Sequence, residues 1–133
     1  MTRINCNIPV KSLNDKHLMA EHREIKRICH RLKERLKVNK FDDIPAVFHE
    51  IKKNEIVFKE LFWLDKGLFT LNRYKKIHNE CKLRGFNVSD FSENWKIYEQ
   101  KPEFFNDYEP TELQNNMILQ RIENRNLKRK TNI

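Results

Sequence analysis

A carboxylate, Glu24, lies among cations on one face of a helix predicted from Asn14 to Val38, and the other residues of that face that are not basic are Ala20 and Glu34. At roughly 100° per residue, that face also carries the basic residues Lys16, His17, Arg23, Arg27 and Arg31. A carboxylate surrounded by guanidinium and imidazole groups is unusual on a solvated helix face, and clustered charges are typical of functional sites. We therefore take this face as the candidate site. The alternative is that Glu24 only forms an i,i+3 ion pair with Arg27.

The overall charge points to a polyanionic partner. Lys and Arg outnumber Asp and Glu by 27 to 19, which gives a net charge of +8, and the pI is near 9.5. For a small domain this favours nucleic acid as the partner, although many basic proteins bind none in a purposeful way. With 38% hydrophobic residues and nine Phe, the chain can fold around a modest core and is not a disordered basic tail.

The predicted elements are mainly helical. The helix from Asn14 to Val38, capped by Ser12 or Asn14, has an apolar stripe that consists of Leu18, Ile25, Cys29, Leu32 and Leu36. A second helix is predicted from Leu68 to Leu83, with Tyr74, Ile77 and Cys81 inward and Gly85 as its left-handed C′ residue. A third is predicted to open at Glu109-Pro110, with Leu113, Met117 and Leu119 or Ile122 inward.

The segments between these helices are harder to assign. We interpret Thr2 to Val10 as an extended arm, Ile44 to Leu64 as one or two short helices, and Asn87 to Tyr108 as an ordered aromatic loop. Residues 126–133 are predicted to form a flexible basic tail. The expected fold is all-α: a compact single domain spanning 1–133, with three principal helices, ordered aromatic loops and an extended N-terminal arm.

The sequence predicts no metal site, cofactor or membrane span. Cys6, Cys29 and Cys81 are widely spaced, and Cys29 falls on the core stripe, so we expect buried reduced thiols in a reducing cytoplasm. His49-Glu50 begins a metalloprotease-like HExxH pattern, but Lys53 occupies the second histidine position. No apolar run approaches the length that spans a membrane.

Several motifs carry a family resemblance. They are Thr2-Arg3-Ile4-Asn5, His17-Leu18-Met19-Ala20-Glu21-His22-Arg23-Glu24, Arg27, Asp65-Lys66, Glu80-Cys81, Arg84-Gly85-Phe86-Asn87, Pro102-Glu103-Phe104 and Asp107-Tyr108 followed by Pro110. In order and spacing this set resembles the phage pyrimidine-dimer DNA glycosylase and abasic-site lyase family (T4 endonuclease V-like). The resemblance covers nearly the whole chain.

The resemblance implies a specific chemistry. It implies that Met1 is removed and that the α-amino group of Thr2 attacks C1′ of the damaged nucleotide. The attack would give an imine that permits β-elimination. An α-amino group has a pKa of about 7.7–8.0, against roughly 10.4 for the Lys side chain. A far larger fraction of α-amino groups than of lysine amines is therefore neutral at pH 7. A neighbouring Arg3 should raise the neutral fraction further. The family's catalytic glutamate corresponds to Glu24, which would stabilise the cationic intermediate and assist proton transfer.

The resemblance also implies a DNA-binding set: Arg3, His17, Arg23, Arg27, Arg121 and Arg125. The expected partner is damaged double-stranded DNA, bound by a monomer in the cytoplasm (of the host cell, if the chain is phage-encoded), without membrane or metal. Two alternatives remain open: a basic helical DNA-binding protein without chemistry, and an abasic-site lyase that has lost dimer excision.

Three departures from the family pattern bear on lesion choice. Lys26 stands where family members have Pro, the segment Phe48 to Leu61 is longer than its family counterpart, and the C-terminal residues lack the aromatic rings used in lesion recognition. Trp63, Trp95 and Tyr98 could replace those rings, but the favoured interpretation is that they belong to the core.

Overall fold

The computed structural model describes residues 3–131 of the chain, with side chains as far as residue 126. Within that range the all-α prediction is confirmed. The elements in chain order are α1 (Asp15–Glu24), α2 (Arg27–Val38), β1 (His49–Lys52), β2 (Glu55–Phe58), α3 (Gly67–Leu83) and α4 (Glu112–Thr131), with short 3₁₀ helices between them. The described part of α4 therefore continues into the segment predicted as a tail.

The first helix is two helices, so the prediction of one unbroken helix from Asn14 to Val38 is wrong. Asn14 is the N-cap, as one of the two predicted alternatives: its Oδ1 accepts a hydrogen bond from the His17 backbone N–H. Between α1 and α2 the chain tightens, since the backbone N–H groups of Ile28 and Cys29 donate to the carbonyls three residues earlier. The tightened turn brings both Ile25 and Ile28 into the core.

The segment after α2 forms a β-hairpin, and the prediction of short helices in Ile44 to Leu64 is wrong. Strands β1 and β2 pair antiparallel, with Ile51 opposite Ile56. The two turn residues, Lys53 and Asn54, have φ of 50° and 64°, the positive values that a tight type I′ hairpin turn requires. A 3₁₀ helix, Glu60–Trp63, follows the hairpin and packs against α2.

Helix α3 confirms the second predicted helix. Tyr74, Ile77 and Cys81 are buried on its inner face. Gly85 has φ of 86°, and the backbone N–H of Phe86 donates to the Cys81 carbonyl, the bond that closes a Schellman C-cap.

The aromatic segment after α3 is ordered and packs onto the helices. Its longest element is the 3₁₀ helix Ser92–Gln100. The Trp95 Nε1–H donates to Thr70 Oγ1 at 3.0 Å, and the Tyr98 hydroxyl donates to the Leu64 carbonyl at 2.8 Å. With Trp63 also buried, the core interpretation of all three rings is confirmed.

Helix α4 begins two residues later than predicted, because Thr111 caps it. The Gln114 backbone N–H donates to Thr111 Oγ1, and the Thr111 N–H donates to Gln114 Oε1, both at 3.1 Å, which is a capping box. This register buries Ile118, whereas Leu113, predicted inward, is exposed, as is Leu119, one of two predicted alternatives with Ile122. Met117 and Ile122 pack on the edge of the core.

The three cysteines are buried and free of disulfides, as predicted for Cys29. Burial raises the pKa of the Cys6 thiol to about 12, so this thiol stays protonated at neutral pH. Of the helices formed by residues 3–131, none is long and apolar enough to cross a membrane.

Candidate active site

The N-terminal arm is fixed to α1 and α3 through a buried carboxylate, Glu21. The Asn5 backbone N–H donates to Glu21 Oε2 at 3.1 Å, and Asn5 Nδ2 donates to Oε1 at 2.7 Å. Arg73, from α3, donates to the same two oxygens through Nε and Nη2 at 2.9 and 3.0 Å. All three side chains are buried. Two-pronged contacts of this kind fix orientation as well as distance, so the arm has a defined path along α1.

The same arm is held to α4 on its other side. Arg121 Nη2 donates to Asn5 Oδ1 at 3.0 Å, and the Asn7 backbone N–H donates to Asn115 Oδ1 at 3.0 Å. Asn5 therefore joins Glu21 and Arg121, which lie on different helices. Thr2, the predicted nucleophile, lies outside the described residues; the described arm begins with the residue after it, Arg3.

Glu24 lies one helical turn beyond Glu21 and is nearly buried, with 8% of its surface exposed. Arg23 Nη2 and Arg27 Nη1 approach its two carboxylate oxygens at 3.8 and 3.9 Å. The side chains of both arginines remain half exposed or more, at 65% and 50%. This ion pair is wider than a hydrogen bond, so the arginines neutralise the carboxylate while their outer N–H groups face solvent.

A second group of cations, which we call the arginine cluster, consists of Arg3, Arg121 and Arg125. Burial first, and then the charges of Arg125 and Arg3, lower the pKa of Arg121 to about 10. Arg121 therefore stays charged at neutral pH, in the field of two like charges. The cluster joins the arm to α4, and an anion such as a phosphate would relieve the repulsion within it.

The helical wheel predicted a solvated position for His17, but its side chain is buried. Its Nε2 is 3.1 Å from Asn126 Oδ1, and Asn14 Nδ2 donates to the same oxygen at 3.2 Å. A phosphate contact from His17 would require the Asn126 side chain to move. Of the other cations on the predicted face, Lys16 is exposed, and Arg31 donates through Nε to Glu60 Oε1 at 2.9 Å.

Apart from His17, the described site residues that were predicted from the sequence fall into two groups. Glu24, Arg23 and Arg27 lie together at the junction of α1 and α2, and the arginine cluster lies where the arm meets α4. The sequence analysis did not single out the connecting residues Asn5, Glu21 and Arg73 as a unit. One signal was available: Glu21 falls beside the apolar stripe of α1 on the helical wheel, and a carboxylate at the edge of a core needs a buried cation.

Among residues 3–131, no group of three or more His, Cys, Asp or Glu side chains is arranged to hold a metal ion. His49 and Glu50, which begin the broken HExxH pattern, are neighbouring residues of β1.

A basic helical scaffold with exposed arginines around a nearly buried carboxylate is typical of enzymes that act on a polyanion. The family model for pyrimidine dimer DNA glycosylase matches residues 1–94, more than two-thirds of the chain, including the arm, the hairpin and α1 to α3. The chain belongs to the pyrimidine dimer DNA glycosylase family. It is therefore a DNA repair glycosylase, and DNA is its substrate. Arg121 and Arg125 lie beyond the matched region.

Proposed function

We propose that this protein excises pyrimidine dimers and cleaves the resulting abasic site through an imine formed by the α-amino group of Thr2. The observation that carries the proposal is the anchoring of Asn5 to Glu21. Because Thr2 is three residues before Asn5, this anchor limits how far the terminal amine can move from the helix that carries Glu24. Restricting a nucleophile in this way contributes to rate by reducing the entropy lost in reaction.

The reaction begins at C1′ of the damaged nucleotide. The neutral amine attacks C1′, the bond from C1′ to the damaged base breaks, and the base, still joined to the neighbouring pyrimidine of the dimer, takes up the proton that the amine loses. The bond from C1′ to the ring oxygen O4′ then breaks while O4′ takes up a proton from Glu24 or water, which opens the sugar ring and gives a protonated imine. Loss of a proton from C2′ then breaks the bond from C3′ to the phosphate oxygen, which cleaves the strand. Water finally hydrolyses the imine and regenerates the amine.

Glu24 would act on the cationic stages of this sequence. Its carboxylate is negative, nearly buried and beside the anchored turn of α1, where water screens charge less than in bulk solvent. It can stabilise the protonated imine and accept or return a proton. The flanking arginines offer N–H groups to DNA phosphates.

The phosphate contacts would come from both groups of cations. Arg23 and Arg27 present guanidinium groups on side chains that are half exposed or more, and the arginine cluster lies where the arm meets α4. Two separated cationic groups suit a duplex that is bent at the lesion, because each can hold a different stretch of backbone. We propose His17 as an indirect contributor that orients Asn126.

An abasic-site lyase with weak preference for dimers is the second candidate. The rings that could have replaced the missing C-terminal aromatic residues, Trp63, Trp95 and Tyr98, are all buried in the core. They are not available to read a lesion in this conformation. On this observation we expect robust cleavage of abasic duplex. We also expect dimer excision, but with lower selectivity over undamaged DNA than in a relative that has the C-terminal aromatic residues.

Borohydride trapping tests the proposal, since only an imine-forming protein becomes covalently attached to DNA. The measurement compares abasic, dimer-containing and undamaged duplexes, with mass spectrometry of the same sample to establish whether Met1 has been removed. Trapping on abasic and dimer duplexes by protein that begins at Thr2 is the expected result. Full activity with Met1 retained would refute the nucleophile.

Glu24→Gln tests the proton-transfer role, and Glu34→Gln is its matched control. Glu34 is an exposed carboxylate of α2 paired with His30, away from the arm. Glu24→Gln should bind DNA but lose strand cleavage by about 100-fold or more, the usual contribution of a positioned acid or base. Equal turnover in the two variants would return Glu24 to the role of an ion-pair partner.

A further inference from the structure

The β1–β2 hairpin exposes two isoleucines on a face that continues from the proposed DNA-binding site. Ile51 and Ile56 lie directly opposite each other and are 71% and 54% exposed. Residues two apart along a strand share a face, so Ile56 lies on the same face as Phe58 at the base of β2. Exposed side chains of this size on a short hairpin call for an explanation beyond folding.

The base of this face contacts the arginine cluster. The Arg121 guanidinium carbon lies 4.9 Å from the centroid of the Phe58 ring, and Arg121 also donates to Asn5. The face that carries the two isoleucines therefore begins at the guanidinium that holds the N-terminal arm. It extends outward from there by the length of two residue pairs.

The base of the hairpin is also attached to α2. Glu60, two residues after β2, accepts a hydrogen bond from Arg31 Nε at 2.9 Å, and Arg31 lies one turn beyond Arg27. The base of the hairpin therefore contacts the arginine cluster directly, through Arg121, and adjoins the group of Arg23 and Arg27 through Arg31. DNA that contacts both groups would lie against this hairpin.

The hairpin is also short, and its tip carries two lysines, Lys52 and Lys53, and one carboxylate, Glu55. The turn at Lys53 and Asn54 needs no additional residues, so the tip has little freedom to fold back. Lys52 and Lys59 lie within 3.7 and 3.4 Å of the Glu50 carboxylate and neutralise it, which leaves the surface acceptable to a polyanion.

We propose that Ile51 and Ile56 form an apolar wedge that enters the base stack at the damaged step while the flanking arginines hold the backbone. The proposal rests on the glycosylase and lyase function proposed above and assigns the lesion-reading element of that site. Proteins that kink DNA commonly insert isoleucine or similar side chains between base steps, and unstacking is least costly where damage has already weakened the stack. A cross-strand pair that serves only hairpin stability is the competing explanation.

The experiment compares two variants that differ only in polarity. The two variants are Ile51→Thr/Ile56→Thr and Ile51→Val/Ile56→Val. Thr and Val are both β-branched and nearly equal in shape, so the strand preference of the two variants is matched. Thermal unfolding is used to check that both variants fold. Single-turnover excision on a dimer duplex should fall at least about tenfold in the Thr variant relative to the Val variant, which corresponds to about 1.4 kcal/mol. Cleavage of abasic duplex should change less than threefold, because its stack is already interrupted.

A binding assay separates failure of the wedge from failure of the proposed chemistry. With 2-aminopurine beside the dimer, wild type and the Val variant should raise the fluorescence on binding, whereas the Thr variant should not, whether or not any strand is cut. Equal fluorescence and equal excision in the two variants would overturn the wedge. Equal losses on dimer and abasic duplexes would also overturn it, because the hairpin would then serve binding in general. Absence of borohydride trapping by wild type would refute the chemistry alone.

Discussion

Removing the charge of Glu21 should detach the N-terminal arm and destabilise the fold together. Glu21 accepts four hydrogen bonds, two from Asn5 and two from Arg73. In Glu21→Gln, the buried Arg73 keeps its charge without a counter-ion, and breaking a buried ion pair in this way costs about 3–5 kcal/mol. For a domain whose whole stability is about 5–15 kcal/mol, this should lower the melting temperature by roughly 10 °C or more.

A second variant distinguishes lost stability from lost positioning. Glu21→Leu/Arg73→Met replaces the ion pair by apolar side chains of similar length, a change that is often neutral for stability. It still removes the acceptor for Asn5 and the Arg73 donor to the Ile8 carbonyl, so we expect a smaller loss of stability than in Glu21→Gln but a slow rate of imine formation. Asn5 would keep only its contact with Arg121.

The assay is urea unfolding together with single-turnover borohydride trapping on abasic duplex, at a temperature where every variant is folded. Glu34→Gln, a solvent-exposed carboxylate change on α2, is the control and should match wild type in both measurements. A double variant that traps DNA at the wild-type rate would refute the claim that Glu21 positions the arm. A loss below about 1 kcal/mol in Glu21→Gln, the range of exposed pairs, would refute the buried ion pair.

Three further predictions follow from separate parts of the structure. Arg23→Gln and Arg27→Gln should each weaken DNA binding and lower the slope of log affinity against log salt by about 0.9, measured by fluorescence titration; unchanged slopes would exclude these arginines as phosphate contacts. Burial, followed by the charges of His78 and Lys26, lowers the pKa of His22 from its ordinary value of 6.5. Because the unfolded chain then binds the proton more readily than the folded chain, stability should fall as the pH drops below 6.5. Unfolding measured between pH 7 and 5 should show this loss, and His22→Leu should reduce it. A Cβ on Gly67 would lie 2.6 Å from the Tyr98 ring, so Gly67→Ala should destabilise the protein by about 1–3 kcal/mol, and a neutral or stabilising change in the melting temperature would show that the ring moves freely.

The sequence by itself determined much of this protein, because the relevant signals are local. Periodic apolar residues predicted helical segments and the inner face of α3, and Gly85 marked its end because glycine adopts positive φ without strain. The charge excess and the N-terminal motifs predicted a DNA repair enzyme, since net charge and residue order do not depend on the packing of the chain. The grouping of Glu24 with Arg23 and Arg27 followed from helical spacing alone.

Tertiary structure decided the features that these local signals do not specify: the break between α1 and α2, the hairpin and the long-range contacts of the arm. The break at Ile25 and Lys26 places two isoleucines in the core, and no residue there forbids a continuous helix, so packing sets the geometry. The period-two pattern of the hairpin is too short to be distinguished from a helical pattern in the sequence alone. The face that carries Ile51 and Ile56 adjoins the proposed DNA-binding site only because Phe58 contacts Arg121 of α4. The contacts of Asn5 with Glu21 and Arg121 join residues 16 and 116 positions apart, and contacts at such separations depend on how the helices pack, which local sequence patterns do not specify.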